Sequence, residues 1–285
     1  MKYDLMIIGA GPAGYTLAAS AAAAGLSVLV FEKSKLGGTC LNRGCIPTKT
    51  YLAITDLLPS CKKFLDAGLK YEDLSFDLAA LLKYKDDVVT RLQTQIEALF
   101  KAHKVEVIAA EAKLISGHEI EASGQVYKGE RIVIAAGGKP TVPAVFAEAY
   151  KNSKRIVTSD ELLDLEAGDY FKSEMKRVAI IGGGIIGVEF AQIFSNLGAE
   201  VSLFEAMPRL LMRMDSDISK TLERNFKLAK IKVEKNVQVL DLLDEGEEVQ
   251  IHYQKQKANA TVETKAFDLV LIAIGRRSEV ESVLG

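Results

Sequence analysis

Apolar residues along this chain gather in short unbroken runs, and two of the clearest, "YDLMIIG" and "KRVAIIG", end at Gly9 and Gly182. Unbroken runs of this length predict strands buried on both faces, as in parallel sheets. After the first run, "YTLAASAAAAGLSVLVFE" predicts a helix, a closing turn at Gly25 and a second strand that ends at Glu32. Residues 77–103 carry Leu78, Leu81, Leu82, Val88, Val89, Leu92, Ile96 and Leu99 at helical spacing, which predicts a long helix with one buried face. Next come "VEVIAAEAKLI", "HEIEA" and "QVYKG", read as a small antiparallel meander punctuated by Gly117 and Gly124, and then the strand "RIVIAAGGKP". Pro140 and Pro143 mark a connection that leaves this region. From about residue 157 to 273 the pattern begins again, with a helix near 217–229 and strands "IKVEK", "VQVLDLL", "EVQIHYQ" and "ATVETKAFDLVLIAIG".

The two glycine-ended runs open one repeated unit. "GAGPAG" places Gly9, Gly11 and Gly14 in G-x-G-x-x-G spacing, with Pro12 and Ala13 between, and "GGGIIG" does the same with Gly182, Gly184 and Gly187 around Ile185 and Ile186. In this pattern the first glycine allows a tight turn, the second lets backbone approach a pyrophosphate, and the third lets helix and strand pack closely. The free N–H groups at each helix start then meet phosphate charge. Both copies run 16 residues from the first glycine to the helix-ending glycine (Gly25, Gly198) and 23 to an acidic residue (Glu32, Glu205). Matched spacing in two strand–turn–helix contexts predicts an α/β chain of two Rossmann-like dinucleotide-binding domains. Glu205 favours a free ribose 2′-hydroxyl, hence NAD over NADP, while Arg209 is placed to soften the repulsion of a 2′-phosphate or else is an ordinary loop arginine.

Composition narrows the partners. A net charge of −2, from 36 basic and 38 acidic side chains, gives no field for nucleic acid. Residues 5–31 hold no charge and resemble a signal or membrane segment, but Gly9, Gly11, Pro12, Gly14 and Gly25 cut them into short pieces and no basic cluster precedes them. A cytoplasmic, non-membrane protein with small-molecule partners is expected. Three cysteines are too few for a secreted disulfide scaffold, and His103, His118 and His252 lie far from the close pair Cys40 and Cys45, so no metal site is expected. Cys61 reads as an isolated thiol.

In "LGGTCLNRGCIPTK" four residues separate Cys40 from Cys45. That loop is short enough to bring the sulfurs into bonding range, with Gly44 relieving backbone strain. Pro47 suits the first turn of a helix, which puts Cys45 near a helix N-terminus, and Lys49 follows one turn later. Both features favour thiolate and hence reversible electron transfer over a permanent crosslink.

These segments, with "IAAGGKP", "TSDELLDL", "GGGIIGVEFA" and "LIAIGRR", resemble dihydrolipoamide dehydrogenases among the flavin-dependent pyridine nucleotide–disulfide oxidoreductases. Glutathione and mercuric reductases share the architecture. The resemblance implies a three-layer FAD-binding domain over residues 1–148, with 274–285 beginning its return segment, and an NAD-binding domain over 149–273. For FAD it implies Gly9, Gly11, Pro12, Ala13, Gly14, Glu32, Lys33, Gly38, Thr39, Ala136 and Gly137; for NAD, Gly182, Gly184, Ile185, Ile186, Gly187, Glu189, Glu205 and Gly275. By the same carry-over Cys45 is the thiolate against the flavin, Cys40 the thiol that exchanges with a lipoyl dithiol, and Lys49 the cation near flavin N5. Family members continue past the second "IAIGR" element into a dimer domain bearing a His–Glu base. The resemblance therefore implies a truncated chain without that domain, a monomer where the family forms homodimers, with a weakened FAD site, little turnover and NAD binding retained. The alternatives are a nucleotide-binding fragment without turnover and a reductase of another disulfide.

Overall fold

In the computed structural model, residues 2–65, 67–70, 77–164 and 175–284 are described. Strand β1 (Lys2–Ile8), helix α1 (Pro12–Ala23) and strand β2 (Val28–Phe31) form the first repeat, and α2 (Gly38–Arg43), α3 (Cys45–Thr55), α4 (Leu57–Phe64) and the long α5 (Leu78–Ala102) follow. Strands β3 (Glu106–Ile108), β4 (Ala112–Ser116), β5 (Glu119–Ala122), β6 (Gln125–Ile134) and β7 (Gly138–Pro140) come next, then α6 (Ala147–Asn152), β8 (Ile156–Thr158) and α7 (Ser159–Leu163). The second repeat is β9 (Arg177–Ile181), α8 (Ile185–Asn196) and β10 (Glu200–Glu205). It continues with α9 (Ser216–Leu228), β11 (Lys232–Lys235), β12 (Val237–Asp244), β13 (Val249–Lys255), β14 (Glu263–Phe267), β15 (Leu269–Ile272) and β16 (Arg276–Ser278).

The chain divides into two compact units. One contains Met1–Pro47, Lys85–Lys139 and Arg276–Gly285, the other Thr48–Tyr84 and Pro140–Gly275. The first is built on a six-stranded sheet of order β3-β2-β1-β6-β5-β4, parallel through its first four strands and antiparallel beyond. Every residue of β2 is buried, which is why it reads as an unbroken apolar run. Arg276–Ser278 pairs with β7, and Leu114 N–H donates to Val283 O at 2.8 Å, so the last described residues close this unit.

The second unit carries an all-parallel sheet of order β11-β10-β9-β15-β8 and a three-stranded antiparallel sheet β12-β13-β14. One apolar core lies around α8, β9, β10 and β15, with Phe190, Phe194, Ile180 and Leu203 fully or almost fully buried. A second core packs Phe204 edge-on to Phe267 and against Tyr253.

Three sequence expectations change. "ATVETKAFDLVLIAIG" is two strands, because Asp268 breaks the run: its carboxylate accepts from the N–H groups of Lys176 and Arg177 and from the Arg177 guanidinium, at 2.6–2.9 Å. β14 then joins the antiparallel sheet and β15 the parallel one. "VEVIAAEAKLI" is likewise two strands, β3 beside β2 and β4 beside β5. Conversely, "QVYKG" and "RIVI" form one ten-residue strand, β6, which pairs with β5 at one end and lies along β1. The motif "TSDELLDL" ends on Leu165, outside the described residues.

Candidate redox and nucleotide-binding sites

Two of the glycine roles predicted from spacing, the tight turn and the close packing of helix on strand, are visible in both units. Gly9 and Gly182 sit at φ +103° and +111°. A Cβ on Gly14 or Gly187 would lie 1.8 or 1.9 Å from the carbonyl oxygen of the first glycine, so only glycine lets α1 and α8 approach so closely. Neither α1 nor α8 has a side-chain N-cap, the capping positions being Gly11 and Gly184, and nothing stands within 4 Å of where a Gly184 Cβ would be. Pro12 and Ala13, and Ile185 and Ile186, form the first helical residues. Uncapped N–H groups over an open glycine suit a pyrophosphate. In each unit the first glycine faces the neighbouring strand end: Gly9 meets Ala135, beside Ala136 and Gly137, and Gly182 meets Ala273, two residues before Gly275. These are the points where strand order reverses, at β1/β6 and β9/β15.

The acidic residues do more than the motif implies. Glu32 Oε2 accepts from Ala10 N–H at 2.8 Å and its Oε1 from Ser34 N–H at 2.9 Å. Glu205 repeats this with Gly183 N–H at 2.5 Å and Met207 N–H at 2.7 Å. Each carboxylate thus clasps its own glycine turn to the loop that follows the second strand. The peptide oxygens on the same turns are also held from equivalent places, Ala10 O by Gly37 N–H and Gly183 O by Leu211 N–H, both at 2.9 Å.

Cys40 and Cys45 are joined in a disulfide with Cα atoms 4.7 Å apart. Cys40 lies on α2, half-buried, and the exposed Cys45 opens α3 with Pro47 in its first turn. Gly44 closes α2 between the two cysteines, and a Cβ there would press on Thr39 O at 2.9 Å and Cys40 Cα at 3.2 Å. The start of α2 lies on the first glycine turn, since a Cβ on Gly38 would fall 2.5 Å from Gly11 Cα. The same unit contains Thr39, 3.5 Å from an Arg276 nitrogen that donates to Gly138 O at 2.6 Å.

Asn42, between the cysteines, was not singled out by sequence. Its amide donates to Lys35 O, Leu36 O and Gly38 O at 2.9–3.3 Å and accepts from Gln93 of α5 at 2.5 Å. The available signal was an asparagine inside a short helix beside a glycine pair, a residue that competes for backbone groups.

Two candidate cations are engaged. Lys49 donates to Glu189 at 2.6 Å in the second unit, and Lys33 pairs with Glu111 at 3.1 Å and lies 3.9 Å from Glu279. The Lys139 hydrogen bond holds the Glu279 carboxyl below its usual range. No cluster of His, Cys, Asp and Glu suited to a metal exists among the described residues, and none of their helices is long and apolar enough to cross a membrane.

Residues 3–283 match the family described as pyridine nucleotide-disulphide oxidoreductase. The chain belongs to that family. Among relatives, the dihydrolipoyl dehydrogenase of Chlamydia trachomatis is 36% identical over 285 residues, which are 99% of this chain and 58% of the relative. The dihydrolipoyl dehydrogenase of Acholeplasma laidlawii is 34% identical over 97% of this chain and 79% of its own. In structure the chain is similar to the HOCl-induced flavoprotein disulfide reductase RclA from Escherichia coli, with a TM-score of 0.81, 29% identity, and coverage of 99% of this chain and 58% of that one. The chain therefore spans about three fifths of the length of most relatives named here.

Proposed function

We propose that this chain carries the electron path of a dihydrolipoyl dehydrogenase-type enzyme, from a lipoyl dithiol to NAD⁺. On this reading residues 1–148 hold FAD at Gly9, Gly11, Pro12, Ala13, Gly14, Glu32, Lys33, Gly38, Thr39, Ala136 and Gly137. Residues 149–273 seat NAD at Gly182, Gly184, Ile185, Ile186, Gly187, Glu189 and Glu205, with Gly275 following. The observation that carries the reading is the packing of Gly38, at the head of the disulfide helix, directly on Gly11 of the first nucleotide turn. An uncapped helix and a clasped carboxylate beside that turn fit a dinucleotide flavin.

A substrate thiolate attacks Cys40 Sγ, breaks the Cys40–Cys45 bond and releases Cys45 as thiolate, which the N-terminus of α3 stabilises. The second substrate thiol then displaces Cys40 and closes the substrate disulfide. Two electrons and two protons have left the dithiol; NAD⁺ accepts the electrons with one proton as hydride, and solvent takes the other. Bound FAD supplies the chemistry that joins thiol exchange to hydride transfer. The Lys49 ammonium is kept in place by Glu189, and Glu205 receives the adenosine ribose hydroxyls.

The test is the absorption spectrum of the FAD-loaded chain on stepwise dithiol reduction. Cys40→Ser should retain a long-wavelength thiolate–flavin band and Cys45→Ser should lack it. The same band in both variants, or in neither, overturns the assignment of the two sulfurs. A panel of lipoamide, glutathione disulfide and small disulfides then ranks the substrate.

A further inference from the structure

In the second unit, the loop at 206–214 does the work that Gly37 does in the first, but with a leucine. Gly37 reaches Ala10 O from a left-handed conformation, φ +96°, that glycine adopts freely. Leu211 makes the equivalent bond to Gly183 O at φ +49°, a conformation that a γ-branched side chain adopts only where its surroundings impose it. Arg209 supplies the imposing contacts. One of its terminal nitrogens donates to Met214 O at 2.9 Å and to Ser219 Oγ at 3.0 Å, the other to Met212 O at 2.8 Å. Ser219, buried on α9, in turn donates to Leu210 O at 2.7 Å, and Met214 N–H bonds to Leu211 O at 2.8 Å.

We propose that Arg209 is the positioning residue of the dinucleotide seat. Its guanidinium is turned inward onto the loop carbonyls, so it holds Leu211 on Gly183 and is itself engaged rather than turned to a 2′-phosphate beside Glu205. Selectivity for a free 2′-hydroxyl then comes from two residues, the carboxylate that repels phosphate and the arginine that the loop has consumed. This rests on the assignment of the second unit as the NAD seat.

NADH and NADPH titrations of the 285-residue chain and its variants, followed by fluorescence, test it. Wild type should favour NADH. Arg209→Ala should weaken NADH by about tenfold or more, as expected for a misplaced loop, and NADPH by no more than that, because the two share the seat and the lost arginine is not a phosphate ligand. Arg209→Lys should recover part of the loss, and Ser219→Ala should reproduce part of it should Arg209→Ala fail to fold. Arg213→Ala removes an exposed charge from the same loop and should leave NADH affinity within about twofold. A larger loss for NADPH than for NADH in Arg209→Ala makes Arg209 a phosphate ligand and overturns the proposal, as does unchanged NADH binding in the Arg209 and Ser219 variants. Wild type that binds neither dinucleotide overturns the seat assignment itself.

Discussion

Replacing Gly14 by alanine offers a clean separation of the two nucleotide seats. The new Cβ would stand 1.8 Å from Gly9 O and must retreat by roughly 1.6 Å to reach the 3.4 Å of an ordinary contact. The start of α1 has to move, because the obstacle is backbone. Overpacking of this kind costs about 1–3 kcal/mol, and the better helix propensity of alanine returns about 0.8–1 kcal/mol. The net cost is about 0–2 kcal/mol, which lowers the melting midpoint by less than about 8 °C at roughly 2–4 °C per kcal/mol. Affinity suffers more, because a displacement of about 1 Å in a positioned site costs on the order of 100-fold, or about 2.7 kcal/mol. FAD and NADH titrations should therefore show Gly14→Ala losing flavin and keeping NADH, and Gly187→Ala, whose Cβ would stand 1.9 Å from Gly182 O, doing the opposite. Gly117→Ala, which meets nothing within 4 Å, is the control. Full flavin binding by Gly14→Ala at unchanged melting midpoint would refute the close-packing argument, and loss of both ligands in either variant would refute the division of seats.

Thiol titration of the oxidised chain should find one reactive thiol, Cys61, rising to three after reduction; a count of three before reduction removes the disulfide. Glu189→Gln breaks the 2.6 Å contact with Lys49, whose side chain is 57% exposed, so the melting midpoint should stay within about 2 °C while electron transfer to NAD⁺ slows; a large loss of stability makes the pair structural. Glu161 is pushed up by burial, but hydrogen bonds from Thr158 and Tyr150 more than offset this and hold its carboxyl below the usual value. A depressed carboxyl stabilises the fold above its unfolded pKa, and the contribution fades as pH falls through the folded one. Glu161→Gln, which keeps an acceptor for the Thr158 N–H but removes the charge, should cost about 0.5–1.5 kcal/mol at neutral pH and much less in acid; urea melts at both pH values measure the difference.

Much of the fold was legible because both faces of β1, β2, β9 and β15 are covered, so burial writes itself into unbroken apolar runs. The glycine spacing was legible for a similar reason: the first and third glycines of each turn, Gly9, Gly14, Gly182 and Gly187, answer distances that no other residue tolerates. What escaped the sequence lies where one residue overrides a pattern. Asp268 divides an apolar run because its carboxylate binds two peptide N–H groups across the sheet, and hydropathy carries no trace of such a partner 91 residues away. Gly44 was noticed as a loop glycine, but the space it must leave beside Thr39 and Cys40 is set by packing that the sequence does not show. Asn42 was passed over because its partner Gln93 lies on another helix, 51 residues on.

The two repeats also explain why one chain can place unlike chemistry on one scaffold. In each, the carboxylate at the end of the second strand fixes the glycine turn through its peptide nitrogen, and the loop beyond fixes it through its peptide oxygen. The turn is therefore held from both sides before any ligand arrives, and the loop beyond is free to vary so long as one left-handed residue reaches back. In the first unit that residue is Gly37, and the chain runs on directly into the disulfide helix; in the second it is Leu211, and the chain runs on into α9. Leu211→Gly should accordingly be tolerated or stabilising, because glycine relieves a strain that Arg209 now offsets, whereas Gly37→Leu should be destructive: at φ +96° its Cβ would fall 2.6–2.7 Å from the Leu41 side chain. Thermal melts of both exchanges measure this asymmetry, and equal losses in the two would mean that the loops do not share the role assigned to them.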